Sequence, residues 1–152
     1  MAVFLLLAFL SGVWSCQNGW LQHDSNCYHF SHDLEDWTGA AYMCKTMGGK
    51  LVEIETAAEN SFLKGVVDNR KHSYWIGLSD VQEEGIWMWM DSKAKLSDTG
   101  FSSWVSGNPN NDGGNENCAT INQNTGGRWN DWQCRQSIFY ICESDIETQV
   151  VG

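Results

Sequence analysis

Between Gly107 and Cys134 the chain gathers Asn108, Asn110, Asn111, Asp112, Asn115, Glu116, Asn117, Asn130 and Asp131 around its only proline, Pro109. All are short side chains ending in carboxylate or amide oxygens. Hard cations take about six to eight such oxygens, and calcium accepts them from carboxylates and amides in flexible geometry. The segment reads as a calcium site that uses neither His nor Cys. The bland alternative is a solvated loop, because Asn, Asp and Gly also fill turns by tolerating left-handed backbone and bonding to their own main chain. Repetition of the chemistry favours the metal. Asn130 and Asp131 sit inside the run Trp129-Asn130-Asp131-Trp132, whose alternation suits a strand, so their oxygens would ride on a rigid element near Cys118 and Cys134 if those two pair. Solubility alone does not require that.

The elements that must position this cluster follow from hydrophobic periodicity. Residues 20–22 and 27–30 are short extended runs separated by Asp24, Ser25 and Asn26, a hairpin that a Cys16–Cys27 bridge could tie. Over residues 34–47 the apolar Trp37, Ala40, Ala41, Cys44 and Met47 recur at three and four, the stripe of an amphipathic helix stopped by Gly48 and Gly49. Asp33, Glu35 and Asp36 near its start favour the helix dipole. Residues 51–54 alternate as a strand. Thr56 and Glu59 then form a capping-box pattern ahead of Phe62, Leu63, Val66 and Val67, a second helix. After Lys71 short strands are expected at 74–78, 86–90, 119–122, 127–132 and 138–142. Residues 91–117 lack periodicity, and loops of that length in a small domain usually serve function. Two helices followed by antiparallel strands predict an α+β fold. Trp87 and Trp89 read as core and sheet surface, Trp129 and Trp132 as packing that orients Asn130 and Asp131, and residues 143–152 as a frayed polar tail.

Composition narrows the function. The apolar run 3–10, followed by Ser11, Gly12 and Ser15, is too short to span a bilayer and fits a cleaved secretory signal over residues 1–15, although no Lys or Arg precedes it. One domain over residues 16–144 and a short tail over 145–152 remain. The six cysteines Cys16, Cys27, Cys44, Cys118, Cys134 and Cys142 point to three disulfides in an oxidising compartment, with the pairing left open by spacing alone. A formal charge of −10 repels phosphate backbones and anionic lipid and attracts cations, so neither nucleic acid nor membrane insertion is expected. His23, His29, His32 and His72 are scattered without a nucleophile motif, which argues against an enzyme. No Asn-x-Ser/Thr sequon occurs.

Taken together, Trp37, Ala41 and Cys44, then Glu59 and Phe62, the tetrad Trp75-Ile76-Gly77-Leu78, Asn108-Pro109-Asn110, Glu116 before Cys118, Trp129-Asn130-Asp131 and Cys142 resemble the C-type lectin-like domain over nearly the whole chain after residue 15. The subgroup most similar is that of small secreted single-domain invertebrate lectins, including perlucin-like ones. The resemblance implies the long form of the fold, with disulfides Cys16–Cys27, Cys44–Cys142 and Cys118–Cys134. It further implies Asn108, Asn110, Glu116, Asn130 and Asp131 as calcium ligands, a cis bond before Pro109, and sugar hydroxyls bound by Asn108, Asn110, Glu116 and Asn130. An auxiliary calcium site is implied at Asp80, Glu84 and Glu116, with Asn111 and Asn117 standing where acids would be expected.

One departure falls on the metal ligands. Mannose-type members carry Glu-Pro-Asn and galactose-type members Gln-Pro-Asp, whereas this chain has Asn-Pro-Asn. Asn108 keeps a carbonyl but is shorter and neutral, so Glu116 and Asp131 supply the only carboxylates. Calcium affinity is expected at the weak extracellular end, about 10⁻⁴ to 10⁻³ M. Asn110, and the lack of an aromatic residue between Pro109 and Cys118, favour mannose, glucose or fucose-type hydroxyls over galactose. The expected function is recognition of microbial or cell-surface glycans in innate immunity by a secreted calcium-dependent lectin, with homo-oligomerisation left open. The alternatives are an acidic matrix or biomineral-associated protein, or a lectin-like domain that binds protein without calcium.

Overall fold

The computed structural model describes residues 13–149. It opens with β1 (Val13–Ser15), followed by the hairpin of β2 (Leu21–His23) and β3 (Asn26–Phe30). Asp24 turns this hairpin with a positive φ of 50°, which a short polar side chain tolerates. The Cys16–Cys27 disulfide ties it. Helix α1 (Trp37–Thr46) starts at the first residue of its apolar stripe, inside the expected range 34–47. Asp36 is the N-cap, its Oδ1 accepting from Gly39 N at 2.7 Å. After β4 (Lys50–Leu51) comes α2 (Ala57–Arg70), capped by Thr56, whose hydroxyl accepts from Glu59 N at 3.1 Å. The Glu59 carboxylate reaches back to Glu55 N at 2.9 Å, one residue upstream of the capping-box partner.

The remaining strands are β5 (Tyr74–Ser79), β6 (Met88–Trp89), β7 (Cys118–Ile121), β8 (Trp129–Trp132), β9 (Phe139–Asp145) and β10 (Glu147–Gln149). The main sheet runs β2-β3-β9-β5-β7-β8, with β4 also on β9 and β6 on β5. Among the described strand pairs only β5–β9 is parallel, aligning Tyr74 with Phe139 and Trp75 with Tyr140. Of the strand expected at 86–90, Met88 and Trp89 pair as β6. The described part of the tail expected to fray, residues 143–149, is instead largely paired. Glu143, Ser144 and Asp145 continue β9 against β3, and β10 pairs with β1. The expected signal segment lies outside the described residues except for 13–15, which form β1.

Gly77 explains the Trp-Ile-Gly-Leu tetrad. Its N–H bonds to Val52 O at 2.8 Å, and a Cβ there would stand 2.9 Å from Leu51 O, so no side chain fits between the two backbones. The flanking Trp75, Ile76 and Leu78 are fully buried. Trp75 Nε1 donates to Glu35 O and Trp37 Nε1 to Ile76 O, each at 2.9 Å, which stitches the start of α1 to β5. The three disulfides are Cys16–Cys27, Cys44–Cys142 and Cys118–Cys134. Cys44–Cys142 fastens α1 to β9 inside a buried cluster with Trp37, Ala40, Trp75 and Tyr140.

Candidate functional site

The long loop after β6 is held by aromatic packing. Trp129 on β8 is fully buried, and its ring meets Trp89, Phe101 and Trp104 edge-on at 5.7 to 5.8 Å. Its indole N–H donates to Asn60 Oδ1 on α2 at 2.9 Å. Backbone bonds from Trp129 N to Ser103 O (2.7 Å) and from Val105 N to Trp129 O (2.8 Å) lay the loop beside β8 as if it were another strand. A turn follows, closed by Asn108 N to Val105 O at 2.9 Å, in which Gly107 takes a φ of 86° that other residues resist. The turn delivers Asn108 to the cluster, and the Asn108–Pro109 peptide bond is cis.

These elements bring together all five of the principal ligand residues read from the sequence. Asn108 Nδ2 donates to Asn130 Oδ1. Asp131 Oδ2 accepts the backbone N–H of Asn110 at 2.9 Å and of Asn111 at 2.6 Å. Asp112 N donates to Glu116 Oε1 at 3.0 Å and to Asn110 Oδ1 at 3.2 Å. Asn111, whose φ of 48° suits an Asn, closes the circuit by accepting from Glu116 N at 3.0 Å. Asp131 has no solvent exposure, and its second oxygen, Oδ1, has no hydrogen-bond partner among the described residues. An unpaired buried carboxylate oxygen is costly unless something positive meets it.

That oxygen is the test of whether calcium fits. Among the described residues no three His, Cys, Asp or Glu side chains form a metal-holding group, so a cation here would depend on amide oxygens. Asn108, Asn110 and Asn130 supply amides beside the carboxylates of Glu116 and Asp131, a set of hard oxygens suited to calcium and poorly suited to zinc or copper. Burial raises the Glu116 pKa, and the nearby Asp131 and Asp112 charges add to the rise. A cation reverses that repulsion. The residues present fit the ion.

The auxiliary acids are differently employed. Asp80 is buried and accepts from Gly85 N at 2.9 Å, while Asn111 Nδ2 donates to Glu84 Oε1. With its amide nitrogen turned toward the acids, Asn117 donates to Asp80 Oδ1 at 3.1 Å and Glu84 Oε2 at 3.2 Å. The two amides standing where acids were expected thus give these carboxylates N–H partners directly. Trp132 also departs from expectation. It lies across the ladder from Cys118, beside the disulfide, but leaves 43% of its surface exposed. Strand alternation carried the signal, because Trp132 lies two residues from Asn130 and on the same face.

The chain matches the family described as "Lectin C-type domain" over residues 33–144. It is 37% identical over 132 residues to a perlucin-like protein of the mussel Mytilus galloprovincialis, covering 84% of this chain and 82% of that one. It is 36% identical over 140 residues to the hepatic lectin of Gallus gallus, covering 92% of this chain but spanning 64% of that longer protein. Among solved structures, the cow C-type carbohydrate-recognition domain of CD23, obtained in the presence of a GlcNAc2Man3 oligosaccharide, superposes with a TM-score of 0.78 at 30% identity, covering 90% of this chain and all of that one. The CD23 domain is thus one that recognises carbohydrate, and lectin relatives of this kind are not enzymes. With its fold, its three disulfides and these relatives in agreement, the chain belongs to the C-type lectin family.

Proposed function

We propose that this protein is a secreted lectin that binds neutral glycans through calcium. The observation that carries the proposal is the buried Asp131 Oδ1, unpaired, on a carboxylate whose other oxygen holds the N–H groups of Asn110 and Asn111. These five residues would hold the ion, which when bound supplies open coordination positions for two neighbouring hydroxyls of a sugar. The chain's own groups do the orienting. The amide N–H groups of Asn108, Asn110 and Asn130 donate to a hydroxyl oxygen, and Glu116 accepts from a hydroxyl proton. Asn110 favours mannose, glucose or fucose-type hydroxyl pairs. Three disulfides support an oxidising, extracellular setting, and recognition of microbial or cell-surface glycans follows from such a site. Lone sugar sites are weak, so several copies acting together would raise avidity. The principal site alone is proposed to take the ion, since Asn111 and Asn117 already serve Asp80 and Glu84.

Column retention tests this. The protein is expected to bind mannose resin, and galactose resin less well, in millimolar calcium, and to elute with a chelator. Passage through both resins with calcium present would replace the lectin proposal with a matrix or protein-binding one.

A further inference from the structure

We propose that Trp132 floors a second saccharide subsite, so that this site recognises a chain of neutral sugars and not one terminal residue; the inference rests on the saccharide function proposed above. Trp75, Trp89 and Trp129 are at most 1% exposed, yet Trp132 shows 43% of its surface to solvent. Trp132 stands two residues from Asn130 on β8, so the two side chains share a face about 7 Å apart along the strand. Across the ladder, Thr120 is aligned with Asn130 and Cys118 with Trp132. Between them opens a hollow of about 240 Å³ lined by Ser73, Thr120, Asn122, Asn130, Trp132 and Ile138.

The lining describes its occupant. None of these residues is charged, so nothing there recognises a carboxylate, sulfate or phosphate. Hydroxyls and amides are set beside one indole and one isoleucine, which matches a pyranose with its rim of hydroxyls and its apolar C–H face. Continuity with the principal site comes through Asn130, which lines the hollow and is also hydrogen-bonded to Asn108. A sugar whose hydroxyls meet Asn130 therefore has its glycosidic neighbour within reach of the Trp132 ring. The platform is rigid: β8 pairs with β7 along its length, and the Cys118–Cys134 disulfide closes the end at which Trp132 sits.

The test compares short and long ligands by calorimetry in millimolar calcium, using methyl α-mannoside against linear mannotriose and methyl β-galactoside against a galactose-terminated trisaccharide. The wild-type chain is expected to bind one of the trisaccharides more tightly than its monosaccharide. Trp132→Ala should weaken that trisaccharide about tenfold, or about 1.4 kcal/mol, and leave the monosaccharide unchanged. Trp132→Phe, which keeps an aromatic face, should retain most of the affinity. Equal affinity of the wild-type chain for the two lengths overturns the inference, and so does an equal loss on both in Trp132→Ala, while the principal site would stand. If the wild-type chain binds no saccharide of either length, the lectin function fails and this subsite falls with it.

Discussion

Replacing Asp131 by Ala probes the site at its most buried point, and the structure sets the size of the effect. Oδ2 of Asp131 holds the backbone N–H groups of Asn110 and Asn111 at 2.9 and 2.6 Å. Hydrogen bonds to a charged group are worth about 1.5–3 kcal/mol each, but Asn110 is exposed and Asn111 half-buried, so water takes over much of the work. A net loss of about 2 kcal/mol in chelator follows, which for a domain of this size lowers Tm by roughly 6–10 °C. Calcium should then separate the two proteins further. With a Kd of about 10⁻³ M, calcium at ten times that concentration stabilises the wild-type chain by about 1.4 kcal/mol. Thermal melts should show the wild-type Tm rising by roughly 4–7 °C on adding calcium, while Asp131→Ala shows no rise and keeps its near-UV signature of a packed core below the transition. If the variant keeps the full calcium increment, or the wild-type chain has none, the assignment of the ion to this carboxylate is wrong.

Two further substitutions test other parts of the molecule. Burial, reinforced by Glu59 and Glu53, pushes the Glu143 carboxyl up to about 8 against the pull of Lys50, 3.5 Å away. A folded pKa above the unfolded one means that this group's stabilisation is complete below about pH 4.5 and lost as pH rises through 8, at about 1.4 kcal/mol per unit. Denaturant melts in chelator should therefore find Glu143→Gln equal to the wild-type chain near pH 5 and about 2–3 kcal/mol more stable near pH 7; an unchanged difference across that range refutes the assignment. Asn108→Glu adds a third carboxylate and removes the amide donor that engages Asn130, so calcium titration should give a Kd lower by about one decade, and a weaker Kd would show that the Asn108 amide is itself needed.

Much of the fold was legible because the chain's local signals agree with its tertiary contacts. Thr56 caps α2 as its position predicts, Gly77 is forced by the approach of the Leu51–Val52 backbone, and the apolar stripe of α1 carries Cys44 to Cys142. The cysteine pairing came from resemblance to a family, since spacing left it open. What periodicity could not show was side-by-side placement. Glu53, Glu59 and Glu143 look like surface acids in sequence, yet the segment after β4, α2 and β9 bring them together, each less than a tenth exposed. Lys50 lies within 4 Å of Glu53 and Glu143, and those acids with Asp91 keep it protonated although burial works against its charge. The tail was misread for a similar reason: a polar strand edge looks frayed until β1 and β3 are known to pair with it. At the site, residue types marked the oxygen-rich cluster and resemblance to a family singled out five expected donors in it, while the fold of β8 shows that Asp131 is sealed inward and Trp132 faces out.

The donors are bonded to one another, and this bears on how strongly the site can hold an ion. Asn108 spends an N–H on the Asn130 carbonyl, and Asp112 lends its N–H to both Asn110 and Glu116. Such bonds keep the loop assembled around β8 without a metal and lower the ordering cost of binding, because the donors already converge. They also compete with the ion for the same lone pairs, most directly at Asn130 Oδ1. Preorganisation raises affinity and competition lowers it, and with two carboxylates in the set the charge term is small. On the proposed function the balance falls at weak, reversible loading, in which the buried Asp131 Oδ1 gains a partner without surrendering one. That oxygen, held by β8 two residues from the edge-on aromatic contacts of Trp129, is where the fold's stability and the site's chemistry meet.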